Sequence, residues 1–363
     1  MDADACRKEG FMLKSRWRWA AVAATCAMAV SLLVVVPASP AAAAYFGETS
    51  WDALDSAGDS QPSSDQAPVQ AYNSGNRHQI WVWRGETSNR IWMQGQYYGS
   101  PLGPIQQIPN AQTPSAPAAV GVQNGFVILH RGNDNRIYYA TNVGYRGISA
   151  DNFSQWLPIT TNNGTHFITT SDTPAIVEIG GRVVVAYRGE TSSRIYTVDG
   201  SFYFTGGEAG EPRISWSNNV ATAAYSSVGP GLANYAGTLY LFWREFNAIQ
   251  FMARFPGGGW PNGRNEIPGS AGRVGGSGRP SAAANGQYMM VGWLGYQSAA
   301  NDNAHSIWRS RFIGGSGWEA PQEDANRWHT YRSVTVVAVS VYFAMLMIGA
   351  RDRIIYDKVV FRT

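Results

Sequence analysis

The stretch Trp81-Val-Trp-Arg-Gly-Glu-Thr-Ser-Asn-Arg-Ile-Trp92 returns twice in the chain, as Leu129-His-Arg-Gly-Asn-Asp-Asn-Arg-Ile-Tyr138 and as Ala186-Tyr-Arg-Gly-Glu-Thr-Ser-Ser-Arg-Ile-Tyr196. A weaker copy is Phe242-Trp-Arg-Glu-Phe-Asn-Ala-Ile-Gln-Phe251. Two diverged copies run from Gly292-Trp-Leu-Gly to Ile307-Trp308 and from Ile348 to Ile355-Tyr356. The core positions Arg84, Arg131, Arg188, Arg244, Leu294 and Ile348 are 47, 57, 56, 50 and 54 residues apart. A period near fifty with variable remainders is the pattern of one supersecondary unit repeated with loops of different length. A proline fixes the register, standing 14 residues before the core position at Pro117, Pro174, Pro230 and Pro280. Pro68 stands 16 before Arg84, and Val334 takes the place in the last unit.

Each unit reads as four short strands. In the first unit these are Ala67 to Ala71, Gln79 to Arg84, Arg90 to Gln94 and Ile105 to Ile108. Alternating apolar runs separated by Gly, Asn, Asp and Ser are hairpin signals. Four strands per repeat, six times over, predict an all-β fold, a β-propeller of six four-stranded blades. The ends predict how it closes. An outer-strand tryptophan (Trp156, Trp216, Trp260, Trp318) precedes most prolines, whereas nothing comparable follows Tyr356. Trp51, ahead of Pro68, has no blade of its own, so Phe46 to Ala53 is expected to supply the missing strand of the sixth blade and leave no open edge. The apolar run Val334 to Ile348 is too short for a bilayer span and falls on two strand positions.

Residues 1–44 read differently. Lys14, Arg16 and Arg18 precede the uncharged run Trp19 to Val36, and Pro37 to Ala44 is small and alanine-rich. Charged start, apolar middle and Ala-x-Ala exit predict a signal peptide, a secreted protein and a single domain over 45–363. An uncleaved anchor is the alternative. Both cysteines, Cys6 and Cys26, lie in this leader, so the remainder has no disulfide framework and must rely on its core. Beyond Ala44 there are 23 basic and 22 acidic residues, and Lys358 is the only lysine. Such balance argues against a nucleic-acid partner, and no membrane contact is expected once the leader is removed.

The repeat places a ring before each core position (Trp83, His130, Tyr187, Trp243, Trp293) and a second ring after the turn (Trp92, Tyr138, Tyr196, Trp308, Tyr356). Sugars offer C–H faces to rings and hydroxyls to fixed donors, which Arg84, Arg131, Arg188 and Arg244 could supply. The opposing reading is that rings at one repeat position serve blade packing. Arg90, Arg136 and Arg194 could pair with the turn acids Glu86, Asp134 and Glu190. Ser115-Ala-Pro-Ala-Ala-Val120 with His130-Arg-Gly-Asn-Asp-Asn-Arg-Ile-Tyr-Tyr139 resembles the repeat of the secreted bacterial seven-bladed propeller lectins typified by the fucose-binding Photorhabdus lectin. The likeness is good over units one to three and loose over four to six, and this chain departs from that family in having six units. The resemblance implies binding of glycans, fucosylated or methylated sugars among them, in clefts between blades, with no cofactor.

A glycoside hydrolase of sialidase-like architecture and a protein-binding scaffold are the other readings. Glycoside hydrolysis needs two carboxyl groups at a set separation, whereas the repeated acids fall in wet turns and the Ser-x-Asp-x-Gly-x-Thr-Trp box of sialidases is absent. No catalytic residue is nominated, although Asp172, Glu178 and Asp302 are unrepeated acids that could meet at the axis. The five histidines show no metal-ligand spacing, so no metal is expected.

Overall fold

A computed structural model of the chain describes residues 52–54 and 64–360, apart from 65, 98, 144–146, 162–163, 206–209, 298–304, 325–328, 331, 341 and 350–353. The leader, Trp51 and Asp302 lie outside the described residues. Six antiparallel blade sheets follow one another along the chain, each beginning directly after the marker position, and a separate two-stranded sheet pairs Thr160–Thr161 with His166–Phe167. Blade 1 comprises Val69–Asn73, His78–Arg84, Arg90–Gln96 and Gln106–Gln112. The inner strands of the next five blades are Ala118–Val122, Ala175–Ile179, Gly231–Tyr235, Ser281–Ala284 and Thr335–Val339. A proline immediately before a strand costs no ladder hydrogen bond, which is why the marker can stand there. Val334 to Ile348 supplies two strands of blade 6, Thr335–Val339 and Tyr342–Ile348.

Closure follows the expected route. Asp52–Ala53 pairs antiparallel with Ile355–Val360, Asp52 opposite Asp357 and Ala53 opposite Tyr356. The N-terminal strand is therefore the fourth strand of blade 6. Leu54 continues it, donating its N–H to the Ile355 carbonyl at 2.9 Å and burying its side chain among Trp81, Trp83, Val337, Leu346 and Ile355. Blade 3 departs from the simple pattern. Its third strand runs twelve residues, Arg194–Thr205, and pairs both with Glu211–Trp216 and with Val220–Tyr225. The 56-residue spacing from Arg188 to Arg244 holds the extra strand, and the 57-residue spacing before it holds a separate short hairpin, Thr160–Thr161 with His166–Phe167.

Strand alternation decides how blades meet. Each residue of the second strand points to the opposite face from its neighbour, and each face packs on a different blade. In blade 1, Ile80, Val82, Ile91 and Met93 join Phe126 and Ile128 of blade 2, while Trp81, Trp83 and Trp92 join Val337, Leu346 and Ile355 of blade 6. Six apolar clusters among the described residues, one per blade interface, repeat this around the ring. The core is thus distributed between blades rather than held in one centre, and a single misfit blade would disturb two interfaces.

Candidate functional site

The rings of the repeat turn out to be cross-strand partners. Trp83 stands opposite Trp92, His130 opposite Tyr138, Tyr187 opposite Tyr196 and Trp293 opposite Trp308. Blade 4 breaks the series, with Trp243 opposite Gln250. The glycine after the core position explains the geometry. A Cβ on Gly132 would lie 2.7 Å from the Tyr138 ring and one on Gly85 2.8 Å from Trp92 Nε1, so only glycine lets the second ring lie over the turn. Where Gln250 replaces the ring, Glu245 replaces the glycine.

The two rows of rings differ in exposure. Trp83, His130, Tyr187, Trp243 and Trp293 are buried, whereas Trp92, Tyr138, Tyr196, Trp308 and Tyr356 are half-buried. The first row thus serves packing throughout, and contact with anything outside falls to the second row. Burial raises the Tyr187 phenol to about 12 against the opposing hydrogen bond from Asn219.

Ring and arginine, adjacent in sequence, face different interfaces. The arginines next to the first-row rings reach instead for the segment that leads into the next blade. Arg131 Nη1 donates to the Ser171 carbonyl at 2.7 Å, Arg188 Nε to the Ser226 carbonyl at 2.8 Å, and Arg244 Nη1 to the Gly276 carbonyl. Arg84 Nη2 donates to Asn89 within its own turn. The later arginines are similarly divided. Arg136 lies 3.5 Å from Asp134 and stacks on Phe167, while Arg90 donates to Gln107 and Arg194 to the Thr222 carbonyl.

An inter-blade cleft opens between blades 1 and 2. It encloses about 600 Å³. Blade 2 contributes His130, Asp134, Tyr138 and Trp156, and blade 1 contributes Arg90 and Gln107. His130 and Tyr138 stack with centroids 5.4 Å apart and planes 13° from parallel. Trp156 meets His130 edge-on at 4.5 Å and 80°, and its Nε1 donates across the cleft to the Pro109 carbonyl at 3.0 Å. Tyr138 Oη donates to Asp134 at 2.8 Å, which fixes the phenol at the rim. The Nδ1 atom of His130 has no hydrogen-bond partner of good geometry. The floor is therefore aromatic and the rim polar, with both charges present. The repeat pointed to His130 and Tyr138. It did not point to Trp156 or Gln107 as lining residues, because only the neighbouring blade's position brings them to the same cleft.

Desolvation pulls the His130 imidazole down to about 4, against weaker opposition from the Arg131 backbone and Asp134. The unfolded chain, with a pKa near 6.5, therefore takes up this proton first as the pH falls. Stability is unaffected above about pH 6.5 and is lost progressively down to about pH 4, by about 3 kcal/mol in all. His130→Tyr, which copies Tyr187 of blade 3, should flatten that part of the stability profile in urea titrations. An unchanged profile in the variant would assign the acid sensitivity elsewhere.

At the axis, the unrepeated acids are kept apart. Glu178 lines the larger axial cavity and Asp172 the smaller one at the other end. Five residues, most of them extended, separate the two in the chain, a span of at most roughly 20 Å at strand rise. No group of three or more metal-ligating side chains is found among the described residues.

No known protein-family profile and no curated protein sequence matches the chain. Solved structures do. The chain is similar to AofleA from Arthrobotrys oligospora, with 13% identity, a TM-score of 0.55, and 87% of this chain and 86% of that one covered. It is also similar to the Aleuria aurantia lectin, described as a six-bladed β-propeller with a novel fucose recognition mode, at 14% identity and TM-score 0.52 over 80% and 90% of the two chains. The NanB sialidase of Streptococcus pneumoniae gives 9% identity and TM-score 0.54 over 86% and 71%. At these identities the likeness establishes the fold, a six-bladed propeller, and neighbours that include fungal lectins and a sialidase.

Proposed function

We propose that the protein is a secreted carbohydrate-binding propeller whose principal site is the cleft between blades 1 and 2. The observation that carries this reading is the aromatic floor of that cleft with a polar rim. A pyranose can lay its C–H face on Tyr138 and the exposed edge of Trp156 while its hydroxyls meet Arg90, Gln107 and Asp134. A cleft of about 600 Å³ lies within the range of small-molecule sites. The fungal lectin neighbour recognises fucose, which supports fucosylated or methylated sugars as the first ligands to try. The hydrolase reading is less favoured, because Asp172 and Glu178 line different axial cavities whereas a pair of carboxyl groups within about 9.5 Å is needed.

A glycan array probed with the chain from residue 45 onward should show binding to a defined set of such sugars. Tyr138→Ala and Arg90→Gln should then weaken the best of them at least tenfold, about 1.4 kcal/mol or more, with melting temperature little changed. Binding that survives both substitutions, or an array with no bound glycan, would overturn this assignment. Release of sugar from aryl fucosides or sialosides would instead promote the hydrolase.

A further inference from the structure

The inner strands surround an axial channel that is divided in two. One cavity, about 380 Å³, is lined by half-buried small apolar side chains such as Ala119, Val177, Ala283 and Ala338, with the polar Tyr72, Glu178 and Asn234 beside them. The other, about 120 Å³, is lined by polar groups including Asp172, Thr173 and Arg332. Arg279 is the residue that lines both. It stands at the head of the inner strand of blade 5, and its side chain reaches past blade 4 to donate from Nη1 to the Pro174 carbonyl of blade 3 at 2.9 Å. The residue is 8% exposed. A guanidinium carries five N–H donors, and this is the one side-chain hydrogen bond Arg279 makes among the described residues.

The charges facing it do not complete it. Asp172 makes no ion pair with Arg279. Its oxygens accept instead from the backbone N–H groups of Thr173 and Gly229, both at 2.7 Å. Arg332 adds a second positive charge to the smaller cavity, and Glu178 lines only the larger one. Burial lowers the Arg279 guanidinium to about 10, with Asp172 opposing, so it is a cation at neutral pH. Pro174 is the one acceptor its side chain meets among the described residues, so the other donors face the channel and can meet an acceptor from outside.

We propose that the axial channel is a second binding site, taking a small organic anion whose carboxylate docks on Arg279 and whose apolar body fills the larger cavity. The planar guanidinium suits a carboxylate, which can accept two of its donors in parallel. A volume near 380 Å³ fits a compact monocarboxylic acid and sits in the range of small-molecule sites. This site is separate from the cleft between blades 1 and 2 and does not depend on sugar binding.

The test uses benzoate, hexanoate and cyclohexanecarboxylate, with benzamide as the uncharged control, in calorimetry and thermal melts of the chain from residue 45 onward. At least one acid should bind saturably at millimolar concentrations or below and raise the melting temperature, while benzamide does not. Arg279→Gln should abolish the effect, and Asp172→Asn, which removes the opposing charge, should tighten the acid severalfold. Tyr138→Ala should leave it unchanged. Should Arg279→Gln fail to fold, the direction of the Asp172→Asn change decides. No saturable binding by any of the three acids, equal binding in Arg279→Gln, or affinity unchanged or weaker in Asp172→Asn would overturn the proposal.

Discussion

Replacing Asp324 by asparagine is expected to cost about 3–5 kcal/mol, the loss typical of removing one partner from a buried ion pair. Lys358, in blade 6, directs its Nζ to both carboxylate oxygens of Asp324 at 3.1 and 3.0 Å, and the two side chains are 0% and 2% exposed. Arg309 of blade 5 is also buried. Burial lowers its guanidinium, with Asp324 opposing that shift. Asp324 therefore pairs with buried Lys358 and lies close enough to buried Arg309 to favour its charge, at the interface of blades 5 and 6. Asp324→Asn takes the carboxylate away from buried Lys358 and leaves Arg309 with Glu319 as its remaining acidic neighbour. Lys358→Met leaves Asp324 facing Arg309 and should cost clearly less. Denaturant titrations of the two variants measure this order directly; equal losses, or a loss under about 1 kcal/mol for Asp324→Asn, would show that the pair is not what it is taken to be.

The second large effect concerns closure of the ring. Leu54→Ala should destabilise by about 2–5 kcal/mol, the range for removing a large buried aliphatic side chain. The side chain is 2% exposed and sits where blades 6 and 1 meet. A chain beginning at residue 55 should lose more, since it also forfeits the pairing of Asp52 and Ala53 and bares the edge of Ile355–Val360. That truncated form should melt earlier and self-associate in sedimentation experiments. A truncated chain with the melting temperature of the longer one would mean that the N-terminal strand is dispensable.

Much of the fold was legible because a propeller repeats its solution. The proline, the ring, the core position and the glycine each recur at one structural place, and the inner strands begin directly after Pro68, Pro117, Pro174, Pro230, Pro280 and Val334. The limits of the second strand were close, Gln79 to Arg84 against His78–Arg84, whereas the outer strand expected over Ile105 to Ile108 runs on to Gln112. The site was legible only in part, for a physical reason. Pairing each ring with the arginine beside it overlooks strand alternation, which sends neighbours to opposite faces. Arg131, Arg188 and Arg244 then meet backbone carbonyls, and no sequence pattern marks a carbonyl as an acceptor.

Features that occur once were harder still. Lys358 stood out in the sequence as the one lysine beyond the leader, yet its buried partner Asp324 lies in a loop with no repeated counterpart. Arg279 is one arginine among many until three blades bring its donors to the axis. Trp156 was visible as an outer-strand tryptophan, but its edge-on contact with His130 needs the blade to be folded. The extra pairing of Val220–Tyr225 in blade 3 likewise follows from an insertion that a repeat-based reading treats as loop.

Whether sugar is held between blades 1 and 2 can be seen in a crystal structure of the protein soaked with its best-bound glycan. The expected result is a pyranose with its apolar face against Tyr138 and Trp156 and its hydroxyls within hydrogen-bond distance of Arg90 or Asp134. Sugar density confined to the axial channel or to another blade interface, with this cleft empty at saturating ligand, would contradict the account.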